Sequence, residues 1–272
     1  MKRFACVLIA FACLSACSDS DEAATASAPA APPDSPEKLY SEARTLFDEE
    51  SYKDAVLAFA EVERQHPYSK WAVNAQVMSA YASYKSGDYG GAVDTLERFV
   101  KLYPNDESTP YAYYLIALSY YEQISDVGRD QKMTDFAMNA LRDVVRRFPD
   151  TDYARDAKIK LDLTVDHLAG KEMQVGRYYL GRQEYLAAVN RFRYVVENYQ
   201  TTSHTPEALH RLVECYLRLG VGEEAQRYAS VLGHNYPDSN WYRDSYRLMT
   251  GESVRAAKGE DDDSSWWDAV IP

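Results

Sequence analysis

Five times along the chain a small residue is followed, twelve positions later, by the end of a helix. Ala55 leads to Pro67, Ala92 to Pro104, Ala137 to Pro149 and Ala225 to Pro237, while Ala188 leads to Gln200, where the proline is replaced. An aromatic residue or histidine stands before each stop: His66, Tyr103, Phe148, Tyr199 and Tyr236. Four residues after the small one come Phe59, Leu96, Leu141, Phe192 and Ala229, and three further on Val62, Phe99, Val144, Val195 and Leu232. Spacings of four and seven place these side chains on one stripe of a helix. Proline then ends the helix, because it lacks the N–H and clashes with the preceding turn.

A second helix precedes each of these. Ala43, Ala80 and Ala117 lie 37 residues apart, as do Gly176 and Val213. Tyr52, Tyr89 and Tyr185 fall between the two helices, each three residues before its small residue. Ser35-Pro36, Thr109-Pro110 and Thr205-Pro206 read as N-cap plus proline pairs, and Ser69 and Thr151 as caps alone. Small residues in both helices let the pair pack closely, the tyrosine fills the gap, and each unit stops at its proline. This is the pattern of the tetratricopeptide repeat, whose usual period is about 34; here the first helix of each unit gains nearly a turn. Repeat 3 departs with 20 residues between Ala117 and Ala137, where the others have 12. The segment from Pro149 to Gly176 is 14 residues longer than its equivalents. The expectation is an all-α solenoid of about five tetratricopeptide-like helix pairs. One continuous helix, Thr151 to Leu180, should join repeats 3 and 4.

The amino end carries a different message. Lys2 and Arg3 precede an uncharged apolar run, Phe4 to Ser15, too short to cross a bilayer and shaped like a signal-peptide core. Leu14-Ser15-Ala16-Cys17 resembles the lipobox of bacterial lipoproteins, in which the cysteine takes diacylglycerol. Residues 1–16 are therefore expected to be a signal peptide, and Cys17 to carry N-acyl and S-diacylglycerol lipid, the sole attached group expected. Ser18 favours sorting to the outer membrane, on its periplasmic face. Ser18 to Ser35 holds only alanine, serine, threonine, proline, aspartate and glutamate, a spacer composition. Cys6 and Cys13 leave with the signal, so Cys215 is the one thiol left over and should be core. The net charge is −12, or −14 without Lys2 and Arg3. It argues against nucleic acid and anionic lipid surfaces as partners and leaves the acyl chains to hold the membrane.

No constellation for catalysis stands out. Glu207 and His210 form a lone Glu-x-x-His, half of the motif of carboxylate-bridged di-iron bundles; it reads as a solvated helix face. There is no phosphate-cradling glycine loop and no nucleophile elbow. Solenoids act through extended concave surfaces, so the expectation is a binder rather than an enzyme. The first helices of repeats 1–3 carry Tyr40, Arg44, Phe47, Tyr81, Tyr84, Lys85, Tyr111, Tyr114 and Tyr121 along one stripe. Tyrosine and arginine suit peptide recognition, although several of these side chains should pack between neighbouring helices. Tyr81, Tyr84 and Tyr114, with Arg44 and Lys85, are the candidate peptide-binding residues.

Val175 to Arg182, reading VGRYYLGR, runs on to Ala188-Val189-Asn190-Arg191. With the lipobox, the proline-ended repeats, the longer third repeat and the long connecting helix, this stretch resembles the BamD family of outer-membrane β-barrel assembly lipoproteins. The resemblance covers residues 36–240; Gln200 departs from the usual proline, and the acidic, tryptophan-bearing segment 251–272 lies outside it. It implies a substrate-binding half at 36–149, receiving the carboxy-terminal aromatic signal of unfolded barrel proteins. It implies a docking half at 150–250 for the POTRA domain nearest the barrel of a BamA-like protein, with other Bam lipoproteins as further partners. Arg191 matches the family arginine tied to that docking, and Arg182, the arginine after the paired tyrosines, is the second candidate there. A repeat scaffold for cell-wall enzymes or the Tol system is the alternative.

Overall fold

The computed structural model describes residues 34–250, so Cys17, the spacer up to residue 33 and the acidic tail lie outside the described residues. Those residues form eleven α-helices and no strand. They are α1 (Pro36–Asp48), α2 (Tyr52–Gln65), α3 (Lys70–Lys85), α4 (Tyr89–Leu102), α5 (Thr109–Tyr121), α6 (Lys132–Arg147), α7 (Asp152–Gly181), α8 (Tyr185–Asn198), α9 (Thr205–Arg218), α10 (Gly222–Asn235) and α11 (Asn240–Thr250). Each helix packs on the next, giving five helix pairs followed by α11. This is an all-α tetratricopeptide-like solenoid. No described helix is long and apolar enough to cross a membrane.

The small-residue register is the seam of the pairs. Ala43, Ala55, Ala80, Ala92, Ala117, Ala137, Ala188, Val213 and Ala225 are all fully buried. So are Phe59, Leu96, Phe99, Leu141, Val144, Phe192, Val195 and Leu232, at the positions four and seven later. Each large side chain so buried is worth about 1.5–3 kcal/mol. Cys215 is buried in the last cluster, and burial pushes its thiol up to about 12.

Short turns join the two helices of repeats 1, 2, 4 and 5, and each contains one left-handed residue at the same place. These are Glu50, Gly87, Gln183 and Gly220, with φ of 61°, 83°, 62° and 76°. Glycine reaches that region freely and other residues at a cost. Repeat 3 replaces this turn with residues 122–131. Its loop is tied by Gln131, whose side-chain nitrogen donates to the carbonyls of Asp126, Val127 and Arg129. The Lys171 ammonium reaches the carbonyl of Gly128 at 3.2 Å, fastening the loop to α7.

The hydroxyls of Ser35, Ser69 and Thr151 accept from the backbone N–H three residues on, as the cap reading expects. Thr109 and Thr205 do not. They are already inside α5 and α9, and their hydroxyls donate back to the carbonyls of Tyr103 and Tyr199 at 2.7 and 2.9 Å. Those carbonyls, at the ends of α4 and α8, also accept the N–H groups of Asp106 and Thr202, and the threonines add a second donor. A further difference is α11, which continues the array beyond the five pairs. It packs on α9 and α10, burying Tyr242, Ser245 and Tyr246.

Candidate binding surfaces

Helices α3 and α5 are apolar on both sides. One side enters the core; the other presents tyrosines, as a helix without a polar face must find two partners. Contacts that skip a helix run between the first helices of successive repeats: α1 with α3, α3 with α5 and α5 with α7. Along this face the rings form a file. Phe47 meets Tyr81 at 5.3 Å between centroids, Tyr81 meets Tyr111 at 6.3 Å, and Tyr111 meets Tyr153 at 5.6 Å. Tyr84 stacks on Tyr81 at 6.4 Å, and Tyr114 tilts against Tyr153 at 5.4 Å. Tyr40 turns away to Phe59 and Trp71 and serves the core of repeat 1.

Thus Tyr81 and Tyr84 come together, and Tyr114 joins them one repeat away through Tyr111 and Tyr153. Tyr153, two residues after the Thr151 cap, was not singled out by its spacing. Lys85 sits with its ammonium 5.9 Å from the Tyr81 ring. Arg44 donates to Asp48 at 3.0 Å and lies 6.0 Å from the Phe47 ring. Both members of that ion pair are more than half exposed, so it is worth less than about 1 kcal/mol. The Tyr84 hydroxyl donates to Glu122 at 3.3 Å, and the Tyr114 hydroxyl to Asp156, which also binds Lys160. Burial and the Glu122 charge push Tyr84 up to about 12; burial and Asp156 raise Tyr114 likewise. Both phenols remain neutral donors near neutral pH.

The second surface arises where α7 and α8 approach most closely. Gly176 makes that approach possible: a Cβ there would stand 2.5 Å from the buried Phe192 ring. Outside this contact Glu172 and Tyr179 of α7 and Ala187, Asn190, Arg191 and Tyr194 of α8 line a cleft of about 480 Å³. Arg191 donates to Glu172 at 3.1 Å, a link across 19 residues that sequence spacing does not reveal. Arg182 stands at the neighbouring turn, bonded to Glu184 at 2.9 Å, with its guanidinium 5.6 Å from the Tyr178 ring. Tyr178 of α7 and Leu186 and Tyr194 of α8 are exposed, at 60%, 68% and 45%.

His210 differs from its solvated-face reading. It is buried, bonded through Nδ1 to the Ser245 hydroxyl at 2.8 Å, with Trp241 at 5.2 Å. Its neighbour Glu207 is held by Arg177 through both carboxylate oxygens. The pair therefore joins α9 to α11 and to α7, and α11 is the element whose existence the repeat count had left out.

Comparison with known proteins follows the same outline. The model of the outer membrane lipoprotein family YfiO matches residues 32–232. Outer membrane protein assembly factor BamD of Caulobacter vibrioides is 51% identical over 221 residues, 81% of this chain and 72% of that protein. BamD of Rickettsia prowazekii is 48% identical, covering 78% of this chain and 84% of that one, and BamD of Neisseria meningitidis serogroup A is 32% identical at 85% of each. Among solved structures, the TPR2AB domain of yeast Sti1 in complex with an HSP90 peptide superposes with a TM-score of 0.42 at 13% identity, over 82% of this chain and 84% of that one. The repeat assignment rests on the helix pairs themselves. With 51% identity to one relative over 81% of the chain and three quarters of the chain matched by the family, this chain belongs to the BamD family of outer membrane lipoproteins.

Proposed function

We propose that this protein is a lipid-anchored adaptor on the periplasmic face of the outer membrane that acts by binding, not catalysis. Repeats 1–3 receive unfolded β-barrel proteins, and repeats 4–5 dock on the POTRA region of a BamA-like barrel protein, alongside other Bam lipoproteins. The observation that carries the substrate half is the file of rings from Phe47 through Tyr81 and Tyr111 to Tyr153, which spans four helices. Barrel-protein tails that end in an aromatic residue with a free carboxylate suit this surface. The ring would lie on Tyr81 and Tyr84, and the carboxylate would pair with Lys85, or with Arg44 once it gives up Asp48. Glu122 and Asp156 stand on the same stripe, so ring contact supplies more of the affinity than charge does. Binding is expected to be weak, because an extended peptide loses backbone freedom when it is ordered; fast release suits a hand-over step.

The test places a photo-crosslinking residue at position 81 or 84 and offers a peptide ending in phenylalanine, or the same peptide as its amide. Capture of the acid in preference to the amide is expected. Equal capture removes the carboxylate from the reading. No capture by a folded protein leaves a scaffold, for cell-wall enzymes or the Tol system.

A further inference from the structure

The cleft between α7 and α8 has aromatic walls, Tyr179 and Tyr194, and an arginine at its rim. Exposed Tyr178, whose ring meets that of Tyr179 at 5.6 Å, extends its apolar surface. An occupant should therefore bring large flat apolar side chains, and an acidic group beside them would share Arg191 with Glu172, which already holds it at 3.1 Å. One segment of this chain has that composition. Residues 251–272 contain Asp261-Asp262-Asp263, two serines, then Trp266-Trp267 and Asp268.

Charge selects where such a segment can settle. Residues 34–170 carry 16 Lys and Arg against 24 Asp and Glu, whereas residues 171–250 carry 10 against 9. The segment itself, with 2 against 6, is repelled by the first three repeats and not by the last two. Geometry agrees. Helices α7 and α9 run the same way, since Asp166 bonds Ser203 and, further along both, Arg177 bonds Glu207. Short turns bring α10 back and α11 forward again, so Thr250 stands at the end of the array where α7 also finishes. The cleft is near that end, reaching up to Tyr179 two residues before α7 stops. Trp266 is the sixteenth residue after Thr250, at the end of sixteen Cα–Cα steps. They span up to about 50 Å when extended, against roughly 30 Å for three helices at 8–10 Å interaxial spacing.

We propose that residues 251–272 fold back and seat Trp266 and Trp267 in the α7–α8 cleft, with Asp261–Asp263 beside Arg191. That contact does not depend on the docking reading of the same surface.

The experiment uses the full mature chain, purified in detergent with no partner present and carrying a photo-crosslinking phenylalanine analogue in place of Trp266. Irradiation is expected to join position 266 to a peptide within residues 172–194 of the same molecule. Arg191→Glu should reduce that capture several-fold, with the helical circular dichroism unchanged. Adding D261K, D262K and D263K to the Arg191→Glu chain should restore it. Capture elsewhere on the chain, capture only between two molecules, or no capture overturns the proposal. So does a yield that ignores the charge reversal. Because no partner is present, a failure to dock on a BamA-like protein would count against the proposed function and leave this result untouched.

Discussion

Replacing Gly176 by alanine sets two effects against each other inside α7. Glycine in a helix interior is worse than alanine by about 0.5–1 kcal/mol, so propensity alone makes Gly176→Ala stabilising. The added methyl, however, would stand 2.5, 2.8 and 2.9 Å from three carbons of the Phe192 ring. That ring is fully buried and cannot swing away. Overpacking of a filled core costs about 1–3 kcal/mol, and three contacts inside van der Waals distance put this site at the upper end. The net expectation is a loss of about 2 kcal/mol, read from urea unfolding followed by circular dichroism. Phe192→Leu should relieve the clash, so the double variant should be more stable than the sum of the single losses by about 1 kcal/mol, within the range for directly touching residues. Gly176→Ala with unchanged or raised stability would refute the close approach of α7 and α8, and with it the shape of the cleft outside.

Gln200→Pro should be tolerated and raise stability by about 0.4–1 kcal/mol through the unfolded chain. Tyr199 before it has φ −130° and ψ 41°, near the −131° and 50° of Phe148, which precedes a proline; a lowered melting temperature would contradict that equivalence. Burial holds His210 below its usual pKa of 6.5, so the unfolded chain binds more protons at acid pH. Its contribution is complete above pH 6.5 and is lost as pH falls from there towards the lower folded value; thermal melts of His210→Phe should show a flatter decline in that window. Cys17→Ala should abolish incorporation of labelled palmitate, and any label remaining would remove the lipobox reading. Arg191→Glu sets a carboxylate against Glu172 on an exposed face, so the fold should survive. Partner binding should weaken by roughly 2–5 kcal/mol if the contact is buried, and undiminished co-purification of a BamA-like protein would take Arg191 out of the site.

The pair seams were legible because close helix contact admits only small side chains, and Ala55 or Ala92 announces that whatever surrounds it. The join between repeats 3 and 4 was legible too: Thr151 to Leu180 carries no proline, and the helix runs from Asp152 to Gly181. Thr109 and Thr205 misled because threonine before proline looks the same whether its hydroxyl caps its own helix or the carbonyl end of the one before. Helix α11 had a usable signal in Pro237-Asp-Ser239, which repeats Pro67-Tyr-Ser69 and Pro149-Asp-Thr151. Ser239 indeed accepts from the N–H of Tyr242 at 3.0 Å. The cleft had no such signal. Arg191 and Glu172, or Tyr114 and Asp156, meet only after two helices have been laid side by side, and no local period records that.

Helix α7 contributes to two cores at once, Ala157 to that of repeat 3 and Ala169 and Met173 to that of repeats 4 and 5. Its 30 residues rise about 45 Å without a break. The aromatic file and the α7–α8 cleft are therefore related as two marks on one screw. Each residue between Ala157 and Ala169 fixes about 1.5 Å of their separation and about 100° of their mutual bearing. Evolution could lengthen this stretch only in near-whole turns, seven residues for two, if both surfaces were to keep facing as they do. A single inserted residue would leave the helix seams of either half intact, while breaking the Lys171–Gly128 tie across the stretch, and would point one surface away from what the other holds.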